Sequence, residues 1–391
     1  MKRRAFLQLS LAGCGSLLAP LGAGAIIAEQ KSKTVRAAPD FELDERTIPE
    51  LQAGMASGRY SAVSLARKYF ERIDKVDHQG PALRAVMELN PDALAIAREL
   101  DRERKAGQVR SQLHGIPVLI KDNIDTHDRM TCTAGSLALL GSHPQRDAFL
   151  VQKLRDAGAV ILGKTNLSEW ANFRGARSTS GWSGRGGQTR NPYALDHNPS
   201  GSSSGSAVGV AANLCAVAVG TETNGSILSP ASYNGIVGIK PTVGLVSRCG
   251  VIPIAQNQDT AGPMARTVTD AAILLSCLAA PDSRDSGAGI PRPPALDTAS
   301  PLDYTHTLDS NGLRGARIGV ARKFFRTQLA AWKATQEQSL ETLKGAGAIL
   351  VDPVELPEPK DAYLVMLYEF KDGLNAYLSN LGPHAPLRSL K

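Results

Sequence analysis

The sequence is short of the residues that build metal and redox centres. Its five cysteines and seven histidines show neither a Cys-x-x-Cys nor a His-x-x-x-His spacing, which excludes the common zinc and dithiol frameworks. Aromatic residues make up only 5%. No stripe of Lys and Arg interleaves with them, so the electrostatic footprint of a nucleic-acid binder is missing. From these lacks we expect no metal, no cofactor and no nucleic-acid partner. Acidic residues are also absent from the first 28 positions, and that absence marks the segment off from the rest.

What is there reads as an ordinary globular chain. It has 391 residues, 42% hydrophobic and 21% charged, enough for one large domain or two modest ones and too apolar for general disorder. Of the net charge of +7, Lys2, Arg3 and Arg4 supply three, leaving +4 on the remainder. Those three cations precede an apolar run from about Ala5 to Ala28 that ends in Ala23-Gly24-Ala25. This is the layout of a secretory signal, and the paired arginines resemble the twin-arginine kind. We expect a signal peptide over 1–28, a polar linker over 29–40, one domain over 41–391, and a periplasmic or secreted protein. A membrane anchor is one alternative. A lipid anchor at Cys14, within Leu11-Ala12-Gly13-Cys14, is another. Cys215 and Cys277 lie in apolar runs and read as buried thiols, whereas Cys132 and Cys249 lie in polar turns.

Periodicity then gives alternating elements. Val63, Leu65, Ala66, Tyr69, Phe70 and Ile73 recur near a 3.6 period within a helix over 61–77. Asn90-Pro91 reads as the N-cap and first-turn proline of a helix to about Ala106. Apolar strands are expected at Ile116–Ile120, Ala159–Leu162, Cys215–Val219 and Ile236–Ile239, with helical patterns at Ala148–Ala157 and Ala207–Ala212 between them. Residues 281–303 form a Pro- and Asp-rich surface excursion. A strand (316–321), helix (328–346), strand (348–351) and helix (360–378) follow. The alternation predicts an α/β protein with a parallel or mixed sheet, its functional residues in loops after strand ends.

Two local motifs are set aside on context. Gly158–Thr165 matches a phosphate-binding loop, but its interior Ala-Val-Ile-Leu is itself the strand, where the loop should be. Gly201-Ser202-Ser203-Ser204-Gly205 matches a nucleophile elbow with Ser203 as the nucleophile. The turn-rich segment 189–199 precedes it where a buried strand should be. Of the histidines, only His306 and His384 lie well downstream, so a Ser-His-Asp set cannot be assigned.

A third pattern is longer and more specific. Lys121-Asp122-Asn123 follows a strand, then Gly163-Lys164-Thr165-Asn166, Gly201–Ser206, Gly220-Thr221-Glu222-Thr223-Asn224-Gly225-Ser226, Gly235–Thr242, and Gln258–Pro263 with Arg266. In this order they resemble the amidase signature family over roughly residues 40–390. The resemblance implies the amidase signature fold, a mixed twisted central sheet covered by helices on both faces. It also implies a Ser-cisSer-Lys triad of Ser226 as nucleophile, Ser202 as the bridging serine with a cis peptide, and Lys121 as base. Backbone N–H groups of Thr223, Asn224, Gly225 and Ser226 would receive the oxyanion, with Ser203 beside the substrate. Lysine acts as a base only when neutral, so its pKa must fall from ~10.4 toward ~7–8, as burial achieves. Glu169, Asp259 and Arg266 read as residues that fix loops.

The chain departs from the family at Glu222, where Asp is common, at Asn224, where Gly or Asp is usual, and at Leu228, where many members carry Arg. The last argues against the subunit that makes ammonia for tRNA-dependent amidation. The chain stops at Lys391, where family members continue, so a C-terminally truncated fold is expected. The implied activity is hydrolysis of linear carboxamides. The run Gly181–Gly187 looks nearest to peptide-amidase-like members, which release ammonia from C-terminal peptide amides. The partner expected is then a small-molecule or peptide amide. The alternatives are a catalytically inactive remnant and an α/β-hydrolase-type esterase acting through Ser203.

Overall fold

The computed structural model describes residues 40–285, 302–325, 329–357, 360–383 and 385–391. The expected signal segment, the linker up to Pro39, most of the 281–303 excursion and His384 lie outside the described residues.

Apolar runs dictate the centre. Strand β1 (Val86–Leu89), β2 (Pro117–Lys121), β3 (Val160–Thr165), β6 (Val217–Glu222), β7 (Val237–Gly238) and β8 (Thr260–Ala265) make a six-stranded sheet in the order β1-β3-β2-β6-β8-β7. β3, β2 and β6 run parallel, while β1, β8 and β7 pair antiparallel. The sheet is therefore mixed, as expected. Every residue of β2, β3, β6 and β8 is buried. Such strands need cover on both faces, which explains why their sequences read as continuous apolar runs and do not alternate. Two further strands, β4 (Trp182–Ser183) and β5 (Gly187–Gln188), form a small hairpin. Strands β9 (Arg317–Gly319) and β10 (Ile349–Val351) pair in parallel as a separate ribbon.

The cover comes from helices whose ends are written in the sequence. α1 (Ile48–Ala56) opens with a capping box, Thr47 to Glu50, and Asp270 Oδ1 accepts its first N–H from Ile48 at 2.9 Å. α2 (Ala62–Arg72) is capped reciprocally by Ser61 and Ser64, satisfying donors that a helix start otherwise leaves orphaned. It continues as a π-helical stretch over Ile73–Gln79, so the helix predicted to Asp77 changes register. Asp77 there accepts the N–H groups of Ala85 and Val86 at 2.7 and 3.0 Å. α3 (Ala93–Lys105), α4 (Phe149–Asp156), α5 (Ser204–Ala211), α6 (Leu228–Tyr233) and α7 (Val268–Leu278) complete the domain around the sheet, with α8 (Ala330–Gly345) and α9 (Ala362–Ser379) after it. No helix among the described residues is long and apolar enough to cross a membrane.

Three local expectations are corrected. α3 begins two residues later than Pro91, and Asn90 is not its N-cap. The Asn90 side chain instead donates to Ile161 O at 2.9 Å and accepts Asp92 N–H at 2.9 Å, stitching the turn to β3. Cys132, expected in a polar turn, is fully buried against Ile252, Leu374 and Leu378, because α9 lies over it. Cys277 is half-buried, not enclosed.

Close approach explains one glycine in the motif region. A Cβ on Gly205 would stand 2.2 Å from Ala85 O and 2.6 Å from Asn166 O, and backbone atoms cannot swing aside. Gly205→Ala is therefore expected to destabilise the domain by about 3 kcal/mol, seen as a lower urea midpoint at unchanged slope.

Candidate active site

Two parallel strand ends set the site. β2 and β6 run parallel and are in register at Ile120 and Val219, so Lys121, the last residue of β2, and Thr221, the last but one of β6, lie close together at the same end of the sheet. Lys121 is fully buried. Its Nζ lies 2.8 Å from Ser202 Oγ, 2.8 Å from Thr221 Oγ1 and 3.3 Å from Thr221 O. Burial in this niche pulls its pKa from the ordinary 10.5 down to about 7, against the opposing charges of Asp259 and Glu222. The amine is thus poised to be neutral near physiological pH.

Ser202 is also fully buried, and the Gly201–Ser202 peptide bond is cis. Its carbonyl accepts Ser168 N–H at 3.1 Å, and the next N–H, of Ser203, donates to Ser226 O at 3.0 Å. Ser226 is thereby held against the 202–203 segment, at the end of the loop that leaves β6. It is 9% exposed, and its hydroxyl makes no hydrogen bond to another described residue. Lys121 and Ser202 are joined directly. Ser226 is joined to them through backbone, with its hydroxyl unspent.

Glu222 shapes that loop. Buried at the end of β6, its carboxylate accepts N–H groups from Gly225 (2.9 Å), Ile227 (2.7 Å) and Leu228 (2.9 Å). The last two are orphan donors at the start of α6, a position that favours an acid. Lys240 stands 3.6 Å from Glu222 and donates to Thr223 O at 2.7 Å. On the far side, Thr223 Oγ1 donates to Asp259 Oδ1, while Asp259 Oδ2 accepts the N–H groups of Ile254 and Ala255 at 2.8 and 3.0 Å. Burial raises the Asp259 carboxyl, opposed by those bonds.

This arrangement revises two expected roles. The N–H of Gly225 is aimed at Glu222 and is not available to an oxyanion. The N–H groups of Thr223, Asn224 and Ser226 carry no hydrogen bond to another described residue and remain as donors. Gly225 instead supplies a left-handed turn, φ +85°, which costs glycine little. Ser203 is fully buried, its hydroxyl donating to Thr221 O at 2.9 Å and accepting Thr221 N–H at 3.1 Å. It can face neither a substrate nor an acyl group, and it clamps the end of β6.

The remaining sequence candidates are placed as fixing residues. Arg266 is buried, donating to Val210 O, Cys215 O and Arg46 O. Glu169 accepts Gly184 N–H at 2.6 Å. Lys164, the lysine of the discarded phosphate-loop pattern, is buried within β3 and donates to Ile124 O. Thr221, Asn123 and Lys240 were not singled out from the sequence. The first two carried a signal, since both sit at ends of strands that the pattern pairs. No group of three or more His, Cys, Asp or Glu among the described residues is placed to hold a metal. A cavity of about 490 Å³, lined by Asp125, Arg146, Arg248, Asp285 and Tyr377 among others, meets the site only through Asp259. None of Lys121, Ser202 and Ser226 lines it.

A family profile described as Amidase matches residues 64–383. A probable amidase of Arabidopsis thaliana is 43% identical over 388 residues, covering 96% of this chain and 72% of the plant protein. A putative amidase of Schizosaccharomyces pombe is 51% identical, covering 73% of this chain and 48% of that one. A peptide amidase solved with the competitive inhibitor chymostatin superposes with a TM-score of 0.82 at 54% identity, covering 90% of this chain and 70% of the other. The chain thus spans between about half and three quarters of the length of these relatives.

Proposed function

Because this chain belongs to the amidase family, we propose that it hydrolyses linear carboxamides, C-terminal peptide amides among them, through Lys121, Ser202 and Ser226. The observation that carries the reading is the 2.8 Å contact between a fully buried Lys121 amine and the Ser202 hydroxyl. The neutral amine takes the Ser202 proton as Ser202 takes that of Ser226. Ser226 Oγ then bonds to the carboxamide carbon. Negative charge on the carbonyl oxygen falls to the free N–H groups of Thr223, Asn224 and Ser226, each worth about 3 kcal/mol in the transition state. The proton returns through Ser202 to the leaving nitrogen, the C–N bond breaks, and ammonia or an amine departs. Water, deprotonated by the same route, attacks the acyl ester and releases the acid.

The preference for peptide amides rests on the likeness to the chymostatin-bound peptide amidase. We also read residues 1–28 as an export signal, on the cationic start and apolar run, and so place the working enzyme in the periplasm or outside the cell. The esterase reading through Ser203 is disfavoured by that hydroxyl's double engagement with Thr221.

A fluorophosphonate probe tests the proposal. Labelling at Ser226 with release of ammonia from a peptide amide supports it. A folded, soluble protein that takes no label would make the chain an inactive relative. With Lys121 the base, kcat/KM is expected to rise from acid pH, pass half-maximum near pH 7 and level off above, because only the neutral amine accepts a proton. A pH profile between 5 and 9 checks it.

A further inference from the structure

We infer that Thr221 is a positioning residue that aims the lone pair of Lys121 at Ser202, an inference that rests on the amidase reading above. A neutral amine has two N–H donors and one lone pair. Around Lys121 Nζ the structure offers three oxygens. Two belong to Thr221, its Oγ1 at 2.8 Å and its carbonyl at 3.3 Å, and the third is Ser202 Oγ at 2.8 Å. Thr221 accepts both N–H bonds: its carbonyl can only accept, and its Oγ1, with one lone pair taken by Asn123 Nδ2, offers the other to Lys121 Nζ. The lone pair is then left for the one remaining neighbour, the Ser202 hydroxyl, whose proton it must take. Without Thr221 Oγ1, the amine can turn and spend an N–H on Ser202, and the direction of proton transfer is lost.

The residue is held as such a task requires. Its peptide is clamped on both sides by the Ser203 hydroxyl, which donates to the carbonyl and accepts the N–H. Its backbone pairs with Ala261 of β8. Its side chain is fixed by Asn123, whose Nδ2 donates to Oγ1 at 3.0 Å. Asn123 follows Lys121 by two residues, so the strand that brings the base also brings the donor that orients its guide. The groups facing Lys121 are accounted for: Ser202 from the loop before α5, Thr221 from β6, and the more distant charges of Glu222 and Asp259. Thr221 is the acceptor that distinguishes one amine orientation from another.

Thr221→Val keeps the shape, the carbonyl and the strand, and removes Oγ1. We expect kcat for a C-terminal peptide amide to fall about 100-fold, the effect of a misaligned reacting group, with KM changed by less than twofold. The acid limb of the profile should move to lower pH, since a hydrogen-bond acceptor for the ammonium is gone. Thr221→Ser, which restores the hydroxyl, should recover kcat to within about fivefold of wild type and return the acid limb. Thr221→Ala serves as the second variant if the valine protein does not fold, with the same outcome expected. A valine or alanine variant with wild-type kcat and an unmoved acid limb overturns the inference while leaving the amidase reading intact. A wild-type protein that neither labels at Ser226 nor turns over overturns both.

Discussion

Lys121→Met should leave a folded protein that has lost about 10,000-fold in kcat/KM, the upper range for removing a general base. Methionine matches the length of the lysine stem and suits a site with no solvent, so the loss would be chemical and not conformational. The chain's pH-stability profile should change in a way that identifies the residue. Lys121 carries a pKa lowered from 10.5 to about 7 by burial. Between those values the unfolded chain holds a proton that the folded chain has released, so folding of the wild type gains stability as pH rises through that window. Below about pH 7 the buried ammonium imposes its full cost; above 10.5 there is none. The methionine variant has no such group and should lose this slope. Urea titrations of both proteins at pH 6 and pH 9, beside kcat/KM, measure it. A variant that retains activity within tenfold would remove Lys121 from the mechanism.

Much of this was legible in the sequence because strand ends are. Pro117–Lys121 is too apolar to be anything but a buried strand, and a lysine closing such a run is either at the surface or desolvated. The ordered Gly-Ser motifs made the second more plausible, and the sheet order places β2 beside β6. Arg266 and Asp259, read from the sequence as loop-fixing residues, do fix loops: Arg266 donates to three backbone carbonyls and Asp259 accepts from Thr223 and two backbone N–H groups, which is how buried charges are kept.

What sequence could not give was where each hydrogen bond ends. Beyond β6, Thr223 to Ser226 carry four backbone N–H groups, all equal on paper. Only the reach of the Glu222 side chain decides that Gly225 is occupied and that Thr223, Asn224 and Ser226 are free. A shorter acid at 222 would be expected to divide the donors differently. Ser203 was ambiguous for the same reason. As a residue type it suits a substrate pocket, and only its burial between the two backbone groups of Thr221 shows it to be a clamp. Cys132 failed for a different cause. Its neighbours in sequence are polar, but its cover, α9, comes from more than 200 residues further along, a distance no local pattern reports.

Ser226→Ala carries the largest expected effect. It removes the atom that bonds to the substrate, so hydrolysis should fall by about a million-fold, as when the nucleophile of a concerted catalytic group is deleted. Fluorophosphonate labelling should vanish with it. Stability should change little, because the Ser226 hydroxyl has no hydrogen bond to another described residue, and the carbonyl that Ser203 N–H uses is kept. Ser203→Ala provides the contrast. That change removes both hydrogen bonds of a fully buried hydroxyl to Thr221, so it should lower the urea midpoint, by about 1–3 kcal/mol in stability. It should slow catalysis only through Thr221, with the label still on Ser226. Mass spectrometry of labelled peptides from the two variants separates the cases. A label that survives Ser226→Ala, or one that moves to Ser203, would mean that the buried clamp opens and that the proton path runs to a different serine. The 2.8 Å contact between the buried Lys121 amine and Ser202 would then be a fixing contact, like the one the buried Lys164 makes to Ile124 O.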